Sequence, residues 1–205
     1  PIAIKHAANE MQKNTLFEGM VNNSINFSIG FSEYFGSRDS SGLTFSQNKV
    51  SGKTLFVLDG DYASHVMLCN KDGQIGVVSL DSVGVETINL TTVDKTRIYQ
   101  EMNFDNTPIE ILENSLTSSN AIELSIDAGR IVAAADSIGA SQYMIDKAIE
   151  YSKERKQFNR VIGSFQAVKH MCAEMAADLE PCYSLVWHAA HSFDNHEADS
   201  RLMAC

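Results

Sequence analysis

The four cysteines of this 205-residue chain (Cys69, Cys172, Cys182 and Cys205) lie far apart, and no two form a CxxC pair. That spacing argues against a zinc ribbon or a disulfide framework and fits a reducing, cytoplasmic compartment. Cys172 and Cys182 fall on what reads as a buried helix face, where a free thiol serves as a small apolar side chain. Positive charge is also scarce: 16 Lys and Arg against 26 Asp and Glu leave a formal charge of −10. Such a balance argues against a non-specific nucleic-acid surface or an anionic-membrane surface. No apolar run approaches the roughly 20 residues of a membrane span, and no signal-peptide pattern opens the chain. His170, His188, His191 and His196 invite a metal reading, but no acidic residue stands at a fitting spacing, so no metal site is expected. What remains is an ordinary globular composition, 44% apolar and 20% charged, long enough for one large domain or two small ones.

The hydrophobic period changes twice along the chain. Residues 1–23 read as helix, with Ala7-Ala8, Met11, Leu16-Phe17 and Met20 at helical spacing. Residues 24–114 switch to short alternating or continuous apolar runs. Strands are expected at 27–32, 54–58, 65–69, 75–80, 83–88, 96–104 and 109–112, with a turn at Asn70-Lys71-Asp72-Gly73 and Pro108 between strands. Such spacing suggests an antiparallel barrel or sandwich and does not choose between them. Residues 121–205 are helical again. Ile131, Ile138 and Ile145 repeat every seven residues, and Val168, Cys172, Met175, Leu179, Cys182, Val186 and Ala189 follow a 4-3-4-3 spacing that demands a packed neighbour. Pro181 should kink or restart that helix. The fold class expected is α+β. Both ends read as cut: the stripe at 1–23 cannot be buried alone, and a pattern starting at Glu197 runs barely two turns.

Residues 147–175 organise the rest. An alanine- and isoleucine-rich helix runs into a cationic corner, Lys153-Glu154-Arg155-Lys156, followed by Gln157-Phe158, a Val161-Ile162-Gly163 linker and a second amphipathic helix from Ser164 or Phe165. Two helix ends joined by a basic elbow can hold an anion, because they present unpaired amides and charged side chains. A solvated helix–loop–helix corner is the plainer reading.

The order of residue types goes further. Tyr151, Arg155, Gln157-Phe158, Ile162, Phe165-Gln166 and Ala173-Glu174-Met175 resemble the C-terminal helical domain of the acyl-CoA dehydrogenase family. In the β-region, Gly30-Phe31-Ser32-Glu33 resembles that family's first flavin-contacting strand. Val50-Ser51-Gly52-Lys53-Thr54-Leu55-Phe56-Val57 resembles its Gly-x-Lys-x-x-aromatic-Ile run, and Asp127-Ala128-Gly129-Arg130 its Asp-x-x-Arg. The resemblance implies residues 1–23 as the end of an N-terminal helical domain, 24–114 as the middle β-domain and 121–205 as the C-terminal helical domain. It implies FAD as cofactor, with Phe31, Ser32, Phe56, Val57 and Leu58 on its flavin side. Arg155, Gln157, Phe158, Phe165 and Gln166 would contact the FAD of a neighbouring subunit. Arg38, Asp127 and Arg130 would lie beside the acyl-CoA.

The activity so implied is α,β-dehydrogenation of an acyl-CoA thioester. A glutamate removes the α-proton, the β-hydrogen leaves as hydride to the flavin, and hydrogen bonds polarise the thioester carbonyl. Electrons would pass to an electron-transferring flavoprotein, and the chain would form a dimer or tetramer with itself or a paralogous subunit. Two departures stand where the chemistry should be. Tyr34-Phe35-Gly36-Ser37-Arg38-Asp39 replaces a Pro-Gly-Ala-Gly-Ser-Asp loop, losing glycines that allow close backbone approach. Leu58 replaces a hydroxyl residue that donates to the flavin. Gly129 occupies one of the family's positions for the catalytic glutamate, so no residue present is assigned as the base. These departures leave room for a flavin-poor partner subunit of a heteromeric dehydrogenase, as in enzymes acting on steroid-derived acyl-CoAs, or for a non-enzymatic assembly module.

Overall fold

The computed structural model describes residues 1–34, 41–115, 120–195 and 199–204, in two compact units, Pro1–Ile122 and Glu123–Cys205. The fold is α+β, largely antiparallel sheets followed by a helical region.

Two helices open the first unit, α1 (Ile2–Ala7) and α2 (Glu10–Val21). One continuous helix was expected, and the break has a local cause. The Asn9 side chain accepts from the Gln12 amide at 2.8 Å, and the Gln12 side chain accepts from the Asn9 amide at 3.2 Å. This reciprocal pair is a capping box, which satisfies two donors that a helix start leaves open. Gln12 also ties α2 to the sheet region, donating to Glu110 Oε1 at 3.0 Å and to the Ile111 carbonyl at 2.9 Å.

The strands are β1 (Phe27–Gly30), β2 (Gly42–Ser46), β3 (Lys49–Leu58), β4 (His65–Cys69), β5 (Ile75–Ser79), β6 (Val85–Asn89), β7 (Tyr99–Pro108) and β8 (Glu110–Ile111). They form two four-stranded sheets, ordered β1-β4-β5-β8 and β2-β3-β7-β6. One core cluster draws Leu43, Val50, Val57, Met102 and Phe104 from the second sheet and Val66, Leu68 and Val78 from the first. Shared burial between two facing sheets makes this a sandwich. Strand β2 was not foreseen, although Leu43 and Phe45 alternate ahead of Gln47-Asn48. Those two residues take φ of 50° and 58° between paired Ser46 and Lys49, the geometry of a two-residue hairpin turn. One pairing departs from the antiparallel expectation: β1 runs parallel to β4, with Phe27 opposite His65 and Gly30 opposite Leu68. Pro108 ends β7 opposite Lys49 rather than lying between strands.

In β4, Cys69 is fully buried. Burial first, and then the Glu33 carboxylate, push its thiol up to about 12. A thiol raised on folding contributes stability that is fully present below its unfolded pKa of about 8.5 and is lost as pH rises toward the folded value. We therefore expect unfolding free energy to fall above about pH 8.5, and Cys69→Ala to flatten that decline. In native protein a disulfide reagent at mildly alkaline pH should modify half-buried Cys172 and Cys182 well before Cys69. Equal labelling rates would contradict this assignment.

The second unit carries α3 (Ala121–Glu154), a two-stranded hairpin of β9 (Lys156–Gln157) and β10 (Arg160–Val161), a 3-10 turn, α4 (Gln166–Asp194) and α5 (Ser200–Met203). The seven-residue stripes face one another. Ile131 and Ile138 of α3 line a groove with Cys182, Val186 and Ala189 of α4, and Tyr183 reaches Gln142 across it at 3.4 Å. Cys172 and Cys182 are only half-buried and Met175 is exposed, because two helices cover just one side of each other. Helix α4 runs on through Pro181. One missing amide among roughly eight turns leaves enough hydrogen bonds to hold it.

Candidate functional site

Two groups of expected site residues lie in different units. In the first unit, Phe31 is buried and follows β1. The Ser32 hydroxyl is committed locally, lying 2.9 Å from Thr54 Oγ1 and accepting from the Leu55 amide at 3.1 Å. Strand β3 then breaks alternation. Thr54 pairs with Met102 and Val57 with Gln100, leaving one extra residue on β3. Phe56 takes up the bulge with φ of 60°, a conformation that costs a bulky side chain on the order of 1–3 kcal/mol. Both Thr54 and Val57 are thereby turned into the core, while Phe56 stands 45% exposed. Val57, fully buried, presents only backbone to a ligand. Leu58 is half-buried, and its carbonyl accepts from Ser28 Oγ at 2.9 Å.

Glu33 is buried, with Oε2 unpartnered among the described residues. Arg38 lies outside the described residues.

In the second unit, Asp127 is buried and accepts from Arg130 at 2.9 Å, three residues on along α3. Asp-x-x-Arg thus forms an ion pair within one turn of α3. The Arg130 side chain remains 46% exposed at the mouth of the α3–α4 groove. Gly129 faces open space.

The basic elbow is more ordered than a solvated corner. Gln157 pairs with Arg160 and Lys156 with Val161. The two turn residues, Phe158 and Asn159, take φ of 50° and 62°. Asparagine tolerates this left-handed region well. An isolated two-stranded ribbon is marginal in water, so the rest of the elbow must hold it. The Ile162 amide donates to the Arg155 carbonyl at 2.8 Å, and Gly163 packs so closely on Ser152 that a Cβ would lie 2.9 Å from its carbonyl. Phe158, 88% exposed, meets the Phe165 ring edge-on at 6.2 Å. The Arg160 guanidinium lies over Phe165, 3.9 Å from the ring centre. Arg155 and Gln157 are exposed, and Gln166 Nε2 lies 3.5 Å from His170 Nε2. The structure thus brings Arg155, Gln157, Phe158 and Phe165 together at one elbow. Arg160 joins them unforeseen; an Asn-Arg pair closing a two-residue turn after Lys-Gln-Phe could have signalled the hairpin.

Among the described residues no group of three His, Cys, Asp or Glu could hold a metal ion, and no helix is long and apolar enough to cross a membrane.

The model of the family described as "Acyl-CoA dehydrogenase, C-terminal domain" matches residues 119–205. The chain belongs to the acyl-CoA dehydrogenase family. It is 41% identical over 145 residues to the 3-(aryl)acrylate reductase of Clostridium sporogenes, covering 71% of this chain and 34% of that protein. It is 48% identical over 77 residues to the caffeyl-CoA reductase-Etf complex subunit CarC of Acetobacterium woodii, covering 38% and 20%. The structure of butyryl-CoA dehydrogenase from Megasphaera elsdenii superposes with a TM-score of 0.86 at 20% identity, covering 98% of this chain and 58% of that one. That likeness speaks to the fold. The chain spans about a third or less of the two curated relatives' lengths.

Proposed function

We propose that this chain is part of an FAD-dependent acyl-CoA oxidoreductase, with the elbow at 153–166 holding the nucleotide end of the cofactor. One observation carries the reading: the segment that resembles the family's cofactor turn is a fixed hairpin presenting Arg155, Gln157 and two aromatic rings. Neither Arg155 nor Arg160 is paired with a carboxylate among the described residues. Such donors and rings suit the diphosphate and adenine of FAD. The flavin side fits less evenly. Ser32 is already bonded and Leu58 cannot donate, so exposed Phe56 and half-buried Leu58 supply apolar contact, with buried Phe31 behind them, and the bulged backbone supplies the remainder.

When bound, FAD supplies hydride chemistry and passes electrons on, by analogy to an electron-transferring flavoprotein. The residues of this chain hold and orient. Arg130, anchored by Asp127, would meet the acyl-CoA. No base is assigned among the residues present. In this reading residues 1–23 close an N-terminal helical domain, 24–114 form the middle domain and 121–205 the C-terminal one, with subunits assembling as a dimer or tetramer.

The printed names of the two curated relatives favour a second reading, in which the same site runs as a reductase of an α,β-unsaturated acyl-CoA or acrylate. The visible spectrum of the purified protein tests both. Flavin absorption that bleaches on adding an acyl-CoA supports the dehydrogenase. Reduced flavin that is reoxidised by an aryl-acrylyl-CoA supports the reductase. Flavin retained only with a co-expressed paralogue supports a partner subunit. No flavin in any preparation sinks the proposal.

A further inference from the structure

Strand register sorts the charges of the elbow. Directly opposed residues in a hairpin project to one face, and successive residues to opposite faces. Gln157 and Arg160 are directly opposed, as are Lys156 and Val161. Gln157 and Arg160 therefore share a side from which Lys156 is excluded. The bond from the Ile162 amide to the Arg155 carbonyl, 2.8 Å, extends the pairing by a step and brings Arg155, two residues before Gln157, to that same side. A run that reads as scattered cations thus becomes two guanidiniums flanking one amide.

Arg160 is also held. Its guanidinium carbon lies 3.9 Å from the centre of the Phe165 ring, and Phe165 is itself braced edge-on by Phe158. Stacking uses the π face of the guanidinium and leaves its in-plane N–H donors directed outward. Neither Arg160 nor Arg155 meets a carboxylate among the described residues, in a chain whose net charge is −10. Two unpaired planar forks on one rigid ribbon match two linked phosphates better than a single anion.

We propose that Arg160 is a further cofactor-binding residue, which with Arg155 and Gln157 takes the diphosphate of FAD while Phe165 fixes its plane. The assignment rests on the reading of the elbow given above. Coenzyme A carries a diphosphate too, so the test separates the two.

FAD binding to the purified protein is followed by flavin fluorescence, and CoA binding by calorimetry, for wild type, Arg160→Gln, Arg160→Lys and Arg155→Gln. Arg160→Gln should weaken FAD roughly tenfold or more and make binding less sensitive to salt. Arg160→Lys, which keeps the charge without the planar fork, should recover only part of the affinity. CoA affinity should be unmoved. Wild-type FAD affinity in Arg160→Gln, with loss in Arg155→Gln, would overturn the role of Arg160 and leave the elbow reading standing. Weakened FAD with an unchanged salt dependence would make Arg160 merely structural. Loss of CoA rather than FAD binding would assign the diphosphate to the substrate. A wild-type protein that binds no FAD would overturn both readings.

Discussion

Replacing Gly52 by alanine is expected to remove about 3 kcal/mol or more of folding free energy. Gly52 sits in β3 with φ of +111°, opposite Leu43 and at a register shift against β7. A Cβ built there would lie 1.9 Å from the Gly42 carbonyl oxygen. That oxygen belongs to backbone, so relief requires β2 to part from β3 and the ladder to lose hydrogen bonds. Gly73 provides the control. It too is left-handed, at φ of +82°, but a Cβ there meets nothing within 4 Å. Gly73→Ala should therefore cost only the backbone conformation, about 1–2 kcal/mol. Chemical denaturation of both variants, followed by the β-sheet circular dichroism signal, measures the difference. Equal losses would mean the close approach of β2 and β3 is not a constraint.

Leu68→Ala should cost about 2–5 kcal/mol, the range for a leucine removed from a core that cannot collapse onto the gap. Leu68 is fully buried in the cluster shared by the two sheets. It pairs with Gly30, and its Cδ2 lies 2.9 Å from where a Gly30 Cβ would stand. The leucine thus fills the space the glycine leaves open, and the damage should spread along β1 into Phe31 and Ser32. Exchange of the Leu55 amide, which donates to Ser32 Oγ, should speed up in this variant. Leu68→Met, which conserves volume, should lose less than about 1.5 kcal/mol. A Leu68→Ala protein as stable as the parent would remove Leu68 from the shared core.

The strands of the β-region were legible where an alternating period or a continuous apolar run marks them, while their spacing left barrel and sandwich open. The continuous apolar runs at 65–69 and 75–80 correspond to β4 and β5 within one residue, and both strands are buried along nearly their whole length. Strand β2 escaped because only Leu43 and Phe45 mark it and its turn residues, Gln47-Asn48, lack the glycine that usually signals such a turn. The same omission hid the elbow hairpin, where Phe158-Asn159 makes the turn. The break at Ala8-Asn9 was visible in principle as Asn-x-x-Gln, but an apolar stripe that continues in phase across a cap conceals it. The parallel pairing of β1 with β4 joins residues about 38 positions apart, and local pattern carries no information about a partner at that distance. Of the site, residue types were readable and their grouping was not. That Val57 points inward and Phe56 outward follows from a single bulge, and no period announces a bulge.

The hairpin between the two long helices makes chain length there more consequential than residue identity. A side chain at 157 or 160 can be exchanged with the ribbon intact, but one residue inserted or lost between 155 and 161 advances the ladder by a step. Every residue beyond the change would then turn to the opposite side, bringing Lys156 or Val161 to the place of Gln157 or Arg160. In its fold the joint is in effect a reading frame: substitution leaves the ribbon standing, whereas insertion or deletion re-faces it.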